Sequence, residues 1–89
     1  MEDVRGALAA NLAELRKEEN LTQAEFAARF NYSDKAVSKW ERGDSLPDVV
    51  MLKTIADLYG LRVDDLLTED GVASALAEAP AVRKSATHT

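Results

Sequence analysis

Apolar residues recur at every third or fourth position along most of this chain, and residues that begin or end helices interrupt the pattern at short intervals. The first segment contains Val4, Leu8, Leu12 and Leu15 and runs to about Glu19, with polar residues between them. Such spacing places the apolar side chains on one face of a helix, which is then buried against other elements. The pattern predicts an all-helical fold of several short helices.

Two short helices joined by a tight turn are predicted in the centre of the chain. Thr22 and Glu25 form the pattern T-x-x-E, a capping box that begins the second helix. Asn31 ends this helix, because Asn tolerates the left-handed backbone of a tight exit. Ser33 is a good N-cap for the third helix, and Gly43 supplies a left-handed residue after its last turn.

The second half of the chain predicts two further helices and a tail. Pro47 suits the first turn of a fourth helix, whose residues are apolar nearly all round up to Gly60. We predict that this is the central, most buried helix. A shorter fifth helix covers residues 63–67, with acids in its first turn. Residues 1–70 are expected to form one domain, and residues 71–89 a flexible or partly helical tail.

The charge of the chain is acidic overall but unevenly distributed. The 89 residues carry a formal net charge of −5, whereas proteins that bind a polyanion usually have a basic total or a basic patch. Residues 29–53 contain five cations and four anions, and residues 54–79 contain one cation and six anions. Because only the phosphates near a contact need to be neutralised, a local positive face is sufficient.

The residue inventory excludes several classes of function. The chain has no cysteine and one histidine, His88, so neither a disulfide framework nor a transition-metal site is predicted. Asp64 and Asp65 are adjacent at a helix start and face different directions, so they form no catalytic carboxylate pair. No apolar run approaches the roughly 20 residues of a membrane helix. We therefore predict a cytoplasmic protein that is not an enzyme and needs no metal or cofactor.

The third helix separates its cations from its apolar residues. At about 100° per residue, Val37 and Trp40 fall on one side. The opposite side carries hydrogen-bonding side chains, namely Lys35, Ser38, Lys39 and Arg42. Such a helix has the width and the donors to enter the major groove of DNA, where lysine donates to guanine O6 and N7. A surface helix that merely solvates a charged face shows the same stripe, so the stripe alone does not decide.

The segments around this helix are more specific. They are LTQAEFA at 21–27, Ser33, VSKWERG at 37–43, LPD at 46–48, and the pairs Ile55 and Ala56 and Leu66 and Leu67. Together they resemble the lambda-repressor-like helix-turn-helix family of Cro, phage-repressor and XRE proteins, over residues 7–68. The motif spans residues 23–42, and its core positions hold Phe26, Ala27, Phe30, Val37 and Trp40. One departure is Asn31, where many relatives have glycine.

The resemblance implies a five-helix DNA-binding domain that recognises a specific double-stranded sequence. Base edges are expected to be contacted by Lys35 and Lys39 first, followed by Ser38 and Asp34. A carboxylate is repelled by phosphate, so Asp34 is useful there only as an acceptor for a cytosine amino group or a neighbouring lysine. Phosphates are expected to be bound by Gln23, Thr22, Arg42 and Lys53. For Gln23, the alternative is a solvent-exposed residue at a helix start.

The resemblance also implies one structural ion pair and a mode of assembly. Arg16 and Glu41 occupy the positions that tie the first helix to the end of the third. The expected form is a homodimer on a two-fold operator, with contacts near Leu61, Val63 and Leu66 or through a helix at residues 72–79. The expected act is transcriptional repression. The alternative is an antitoxin-like or anti-repressor module that binds a basic protein through its acidic carboxyl-terminal third.

Overall fold

The computed structural model describes residues 3–78, and its secondary structure consists of helices joined by short turns. The elements are α1 (Val4–Glu18), α2 (Gln23–Ala28), α3 (Asp34–Arg42), α4 (Val49–Leu58), α5 (Val63–Leu67) and α6 (Gly71–Glu78). No strand occurs within this part of the chain. The predicted all-helical fold is confirmed, with one helix more than the five expected. None of the described helices is long and apolar enough to cross a membrane.

The predicted start of α2 and both ends of α3 are confirmed by their caps, whereas α2 ends at Ala28, earlier than the predicted end at Asn31. The Glu25 backbone N–H donates to the Thr22 hydroxyl at 3.1 Å, and the Thr22 N–H donates to the Glu25 carboxylate at 2.8 Å. The Ser33 hydroxyl accepts from the Ala36 N–H at 3.2 Å. Asn31 has φ of 60° and Gly43 has φ of 77°. The hydroxyls of Thr22 and Ser33 therefore satisfy backbone N–H groups at the helix starts. Asn31 and Gly43 reverse the direction of the chain after α2 and α3.

The core is centred on α1, which packs against α3, α5 and α6. Leu12 and Leu15 are completely buried, and Leu8 is nearly so. Val4 was expected on the same buried face, but it is 45% exposed. Val4 is the first residue of α1, so the apolar spacing alone overestimates the length of the buried face.

The prediction that α4 is the central helix was wrong. Only Ile55 and Ala56 of α4 are buried, whereas Val49 and Val50 are 80% and 74% exposed. The helix also begins after Pro47, because the Asp48 carboxylate accepts from the Met51 N–H at 2.8 Å and acts as the N-cap. An apolar composition does not reveal which sides of a helix find partners, and α1 occupies the centre instead.

The start of the predicted tail is helical and is attached to the core. Val72, in the first turn of α6, is completely buried, and its backbone N–H donates to the side-chain amide oxygen (Oδ1) of Asn11 at 3.2 Å. The Asn11 amide nitrogen lies 3.1, 2.8 and 2.9 Å from the carbonyl oxygens of Asp65, Leu66 and Thr68. A single buried side chain therefore links α1 to the end of α5 and the beginning of α6. Residues 79–89 lie outside the described part.

The passage from α5 to α6 requires a glycine. A Cβ atom added to Gly71 would overlap the backbone of Asp65, including its carbonyl oxygen and carbonyl carbon. The obstacle is main chain, which cannot rotate away as the end of a flexible side chain would. Gly71 therefore allows the close approach that brings Val72 into the core.

Candidate nucleic-acid interface

Helix α3 is held in place by the apolar side that the sequence predicted. Val37 is completely buried and Trp40 is 4% exposed. The Trp40 ring lies against Tyr32, with 5.1 Å between ring centroids. Helix α2 packs on α3, and its Ala27 is 1% exposed. A small residue at this point allows two helices to approach closely, so α3 has a defined orientation.

The aromatic side chains of α2 and of the turn after it complete the support beneath α3. Phe26 and Phe30 are both buried, and their rings meet edge to face with 5.2 Å between centroids. Phe26 also stacks with Tyr59, which follows α4, at a centroid distance of 6.4 Å. All five residues expected in the motif core therefore lie in the core. Such packing fixes the outer face of α3 relative to the rest of the domain.

The outer face of α3 carries two lysines that extend into solvent. Lys35 and Lys39 are exposed, and neither side chain forms a hydrogen bond or ion pair with the described residues 3–78. Asp34 is exposed in the first turn of the same helix, and Ser38 is half-buried. The four side chains that were expected to face bases thus lie on one helix, and the two lysines are available for an external partner.

Arg42 has partners within the domain. Its Nε donates to the Asp44 carboxylate at 2.9 Å, and its Nη1 donates to the Ser38 hydroxyl at 2.8 Å. Arg42 and Asp44 remain 58% and 57% exposed. The guanidinium therefore lies along the surface of the last turn of α3.

The other expected phosphate ligands also have intramolecular partners. The Thr22 hydroxyl caps α2. The Gln23 amide nitrogen donates to the Glu41 carboxylate at 3.1 Å, so Gln23 braces the end of α3. Lys53 donates to Asp57 one turn away in α4, at 2.7 and 2.8 Å. A phosphate would have to compete with these contacts or use the donors that they leave unoccupied.

Arg16 and Glu41 form an ion pair at the junction of α1 and α3. The Arg16 Nε and Nη2 atoms donate to the two Glu41 carboxylate oxygens at 2.7 and 3.0 Å, and Nη1 donates to the Leu21 carbonyl oxygen at 2.9 Å. The two side chains are 16% and 9% exposed. This bidentate geometry is the strong form of an arginine–carboxylate contact.

The same contact determines how the Arg16 charge responds to pH. The hydrogen bond to Glu41 raises the pKa of Arg16 above its ordinary value, with a further contribution from the Glu41 charge and against the lowering effect of burial. A raised pKa means that the folded state binds the proton more tightly than the unfolded state. The stabilisation that comes from the Arg16 proton is therefore fully present below the ordinary arginine pKa and is lost as the pH rises through the raised pKa of the folded state.

Three contributors near α3 were missed by the sequence analysis. Asp44 orients Arg42, as described above. Arg5 of α1 donates from Nη1 to the Gly43 carbonyl oxygen at 3.1 Å. Asn11, at the middle of α1, acts further away and bonds to the end of α5 and the start of α6. The acidic loop after α3 was a signal for Asp44, because an acid two residues from an arginine is within its reach. Arg5 and Gly43 are 38 positions apart, and no local pattern connects them.

A short helix that is capped at Ser33, packed through Val37 and Trp40 on the preceding helix and exposed along its other face defines the helix-turn-helix class of proteins. The chain belongs to the lambda-repressor-like (XRE) family within this class. The family pattern described as "Helix-turn-helix" matches residues 12–66, which extend from the middle of α1 to the end of α5.

Two relatives show the same family assignment. The Uncharacterized HTH-type transcriptional regulator y4dJ of Sinorhizobium fredii is 38% identical over 66 residues, which are 74% of this chain and 86% of that protein. The HTH-type transcriptional activator BcrR of Enterococcus faecalis is 39% identical over 57 residues, which are 64% of this chain and 28% of BcrR. The chain thus spans less than a third of the length of BcrR.

A solved structure shares the fold. The clp gene regulator ClgR from Corynebacterium glutamicum aligns with a TM-score of 0.65 and 27% sequence identity. The alignment covers 97% of this chain and 89% of that chain.

Proposed function

We propose that this chain binds double-stranded DNA in a sequence-specific manner and regulates transcription, with α3 in the major groove. The observation that carries the proposal is the pair of exposed lysines on α3, Lys35 and Lys39, opposite the buried Val37 and Trp40. Lysine donates to the O6 and N7 atoms of guanine in that groove. The names of the relatives, which are transcriptional regulators, support the same function.

The charge of the domain suits a binder of modest affinity for DNA. Binding to DNA is driven by neutralisation of phosphates, and the cations available here are concentrated between residues 29 and 53. We assign phosphate contacts to Gln23, Thr22 and Lys53 and base contacts to the α3 side chains. Because the loop after α3 contains acids and no cation, few phosphates are neutralised there, so we expect modest affinity and a shallow dependence on salt.

We further propose a homodimer that represses transcription in the cytoplasm by occupying a two-fold operator. One recognition helix contacts only a few base pairs, and two copies one helical turn apart provide the missing specificity. Leu66 was expected in the dimer contact, but it is completely buried. The remaining expected candidates are Leu61 and Val63, which are half-buried, and the helix α6. To these we add Leu58, which is 54% exposed.

The dimer is tested by sedimentation of the whole chain, alone and with a two-fold DNA site. We expect a dimer on DNA, and Leu58→Asp should shift the complex toward one copy per DNA duplex while the helical content is unchanged. A chain that stays monomeric on DNA at high micromolar concentration would contradict the dimer but leave the role of α3 intact.

The role of α3 is tested by removing its two free lysines. We expect Lys35→Ala and Lys39→Ala each to lower affinity for the selected DNA site by about tenfold, and the double variant by about a hundredfold, because each lost base contact is worth about 1–3 kcal/mol. Gel-shift titrations at fixed salt provide the measurement. The matched control is Lys17→Ala, which removes an exposed lysine from α1 and should change affinity little.

The result also separates DNA binding from the alternative function. If the wild-type chain is folded yet shifts neither selected nor random duplex at low salt, the proposal is wrong and the protein-interaction module is favoured. In that case the acidic carboxyl-terminal third becomes the surface to investigate.

A further inference from the structure

The chain reversal after α3 places a carboxylate beside the last arginine of that helix. Gly43 adopts a left-handed backbone with φ of 77°. The Asp44 N–H then donates back to the Lys39 carbonyl oxygen at 2.9 Å, which is the main-chain pattern of a Schellman turn. This backbone hydrogen bond fixes where Asp44 lies, and its carboxylate accepts from the Arg42 Nε at 2.9 Å.

A second acceptor holds the other side of the same guanidinium. The Ser38 hydroxyl, one turn earlier in α3, accepts from the Arg42 Nη1 at 2.8 Å. Nη2 has no hydrogen-bond partner within residues 3–78. The group is thus held at Nε and Nη1, and N–H bonds remain unused on Nη1 and Nη2. Two parallel N–H donors of this kind match the O6 and N7 atoms of guanine.

The exposure of the Arg42–Asp44 pair argues against a role in folding. Both side chains are more than half exposed, and ion pairs in such positions contribute little to stability. The pair already restricts the long Arg42 side chain, so less conformational entropy is lost when Arg42 binds. A donor that is preorganised in this way recognises its target better. Arg42 also lies on the same side of α3 as Lys35 and Lys39, seven and three residues away.

We propose that Arg42 reads a guanine base through its Nη1 and Nη2 donors, and that Asp44 and Ser38 are positioning residues that hold the guanidinium for this contact. This inference rests on the proposed DNA-binding function and replaces the phosphate contact that the sequence suggested for Arg42. The presence of Asp44 weakens DNA binding in general, because its charge is repelled by the phosphates of the DNA backbone. Asp44 therefore lowers affinity for DNA in general while it increases discrimination between bases.

Because Asp44 has opposite effects on general affinity and on base discrimination, its removal gives a distinctive experimental result. The full chain and its variants are used to select bound oligonucleotides from a random pool, and their binding to random duplex is titrated at low salt. For Asp44→Ala we expect tighter binding to random duplex by about twofold to fivefold, and a loss of about tenfold in the preference for guanine at one position of each half-site. Arg42→Lys should lose the same preference with little change in random binding, because it keeps the charge but not the paired donors.

A matched control removes an equivalent acid elsewhere. Asp57→Ala breaks the exposed pair with Lys53 in α4, so it should also strengthen binding to random duplex, yet leave the selected base profile unchanged. Thermal unfolding of each variant confirms that the fold is intact.

Two outcomes overturn the inference. If Arg42→Ala weakens all sequences equally and neither Asp44→Ala nor Arg42→Lys alters the profile, Arg42 binds phosphate and Asp44 merely neutralises it. If the wild-type chain selects no sequence at all, the proposed function itself fails, and the inference fails with it.

Discussion

Replacing Asn11 with leucine is expected to lower the free energy of unfolding by about 3–4 kcal/mol. Asn11 is 3% exposed, and its amide serves four main-chain groups. The Leu66 carbonyl oxygen and the Val72 N–H are buried hydrogen-bond partners of this side chain. Leucine has a similar volume but satisfies neither, and an unsatisfied buried polar group costs about 1–3 kcal/mol. The Thr68 carbonyl oxygen loses less, because it also accepts from the Gly71 N–H at 2.8 Å.

The effect of this substitution should be large for a domain of this size. Small domains are stable by only roughly 5–15 kcal/mol in total, so the variant loses a substantial share of its stability. Chemical denaturation followed by circular dichroism measures the change. Glu14→Leu, at an exposed position of the same helix, is the control and should change stability by less than about 0.5 kcal/mol. An Asn11→Leu variant as stable as wild type would show that α6 does not need this link.

Replacing Glu41 with alanine is expected to cost about 3 kcal/mol, because it leaves the Arg16 charge at a largely buried site without its carboxylate. Two of the three Arg16 donors would lose their acceptor, and Gln23 would lose its partner as well. Arg16→Ala should have a similar cost, because it leaves the largely buried Glu41 carboxylate without its arginine. Both changes also release the end of α3 from α1, so DNA affinity should fall together with stability.

A double-mutant cycle separates the ion pair from the surrounding packing. The Arg16→Ala and Glu41→Ala double variant should lose clearly less stability than the sum of the two single variants, because no isolated charge remains. Asp57→Ala is the control, since its pair with Lys53 is about 60% exposed on both sides and should contribute at most about 1 kcal/mol. Additive losses in the cycle would mean that Arg16 and Glu41 act independently.

The helix ends were predictable because they depend on neighbours in the chain. A cap is a contact between residues about three positions apart, and the hydroxyls of Thr22 and Ser33 form the contacts that their positions suggested. The left-handed conformations of Asn31 and Gly43 have the same local origin. The two sides of α3 followed from helix periodicity, which needs no knowledge of the partner.

The arrangement of the helices was less predictable because it depends on residues far apart in the chain. The apolar composition of α4 suggested a central helix, but its neighbours cover only one side of it. Asn11 gave no signal in the sequence, since its partners lie 54 to 61 positions away. The orientation of Arg42 depends on the turn at Gly43, which was predicted. Its contact with Asp44 is established by the folded structure.

The sequence by itself determined that this chain forms short helices, where most of them begin and end, and that α3 has a cationic and an apolar side. These properties arise from hydrogen bonds and periodicities within a few residues. The tertiary structure alone decided that α1 is the centre of the core and that α6 belongs to it. It also decided that the Lys35 and Lys39 side chains have no partner among residues 3–78, while Arg42 is held by Ser38 and Asp44. Burial and pairing of a side chain depend on what the rest of the chain brings beside it, and that is a property of the folded domain.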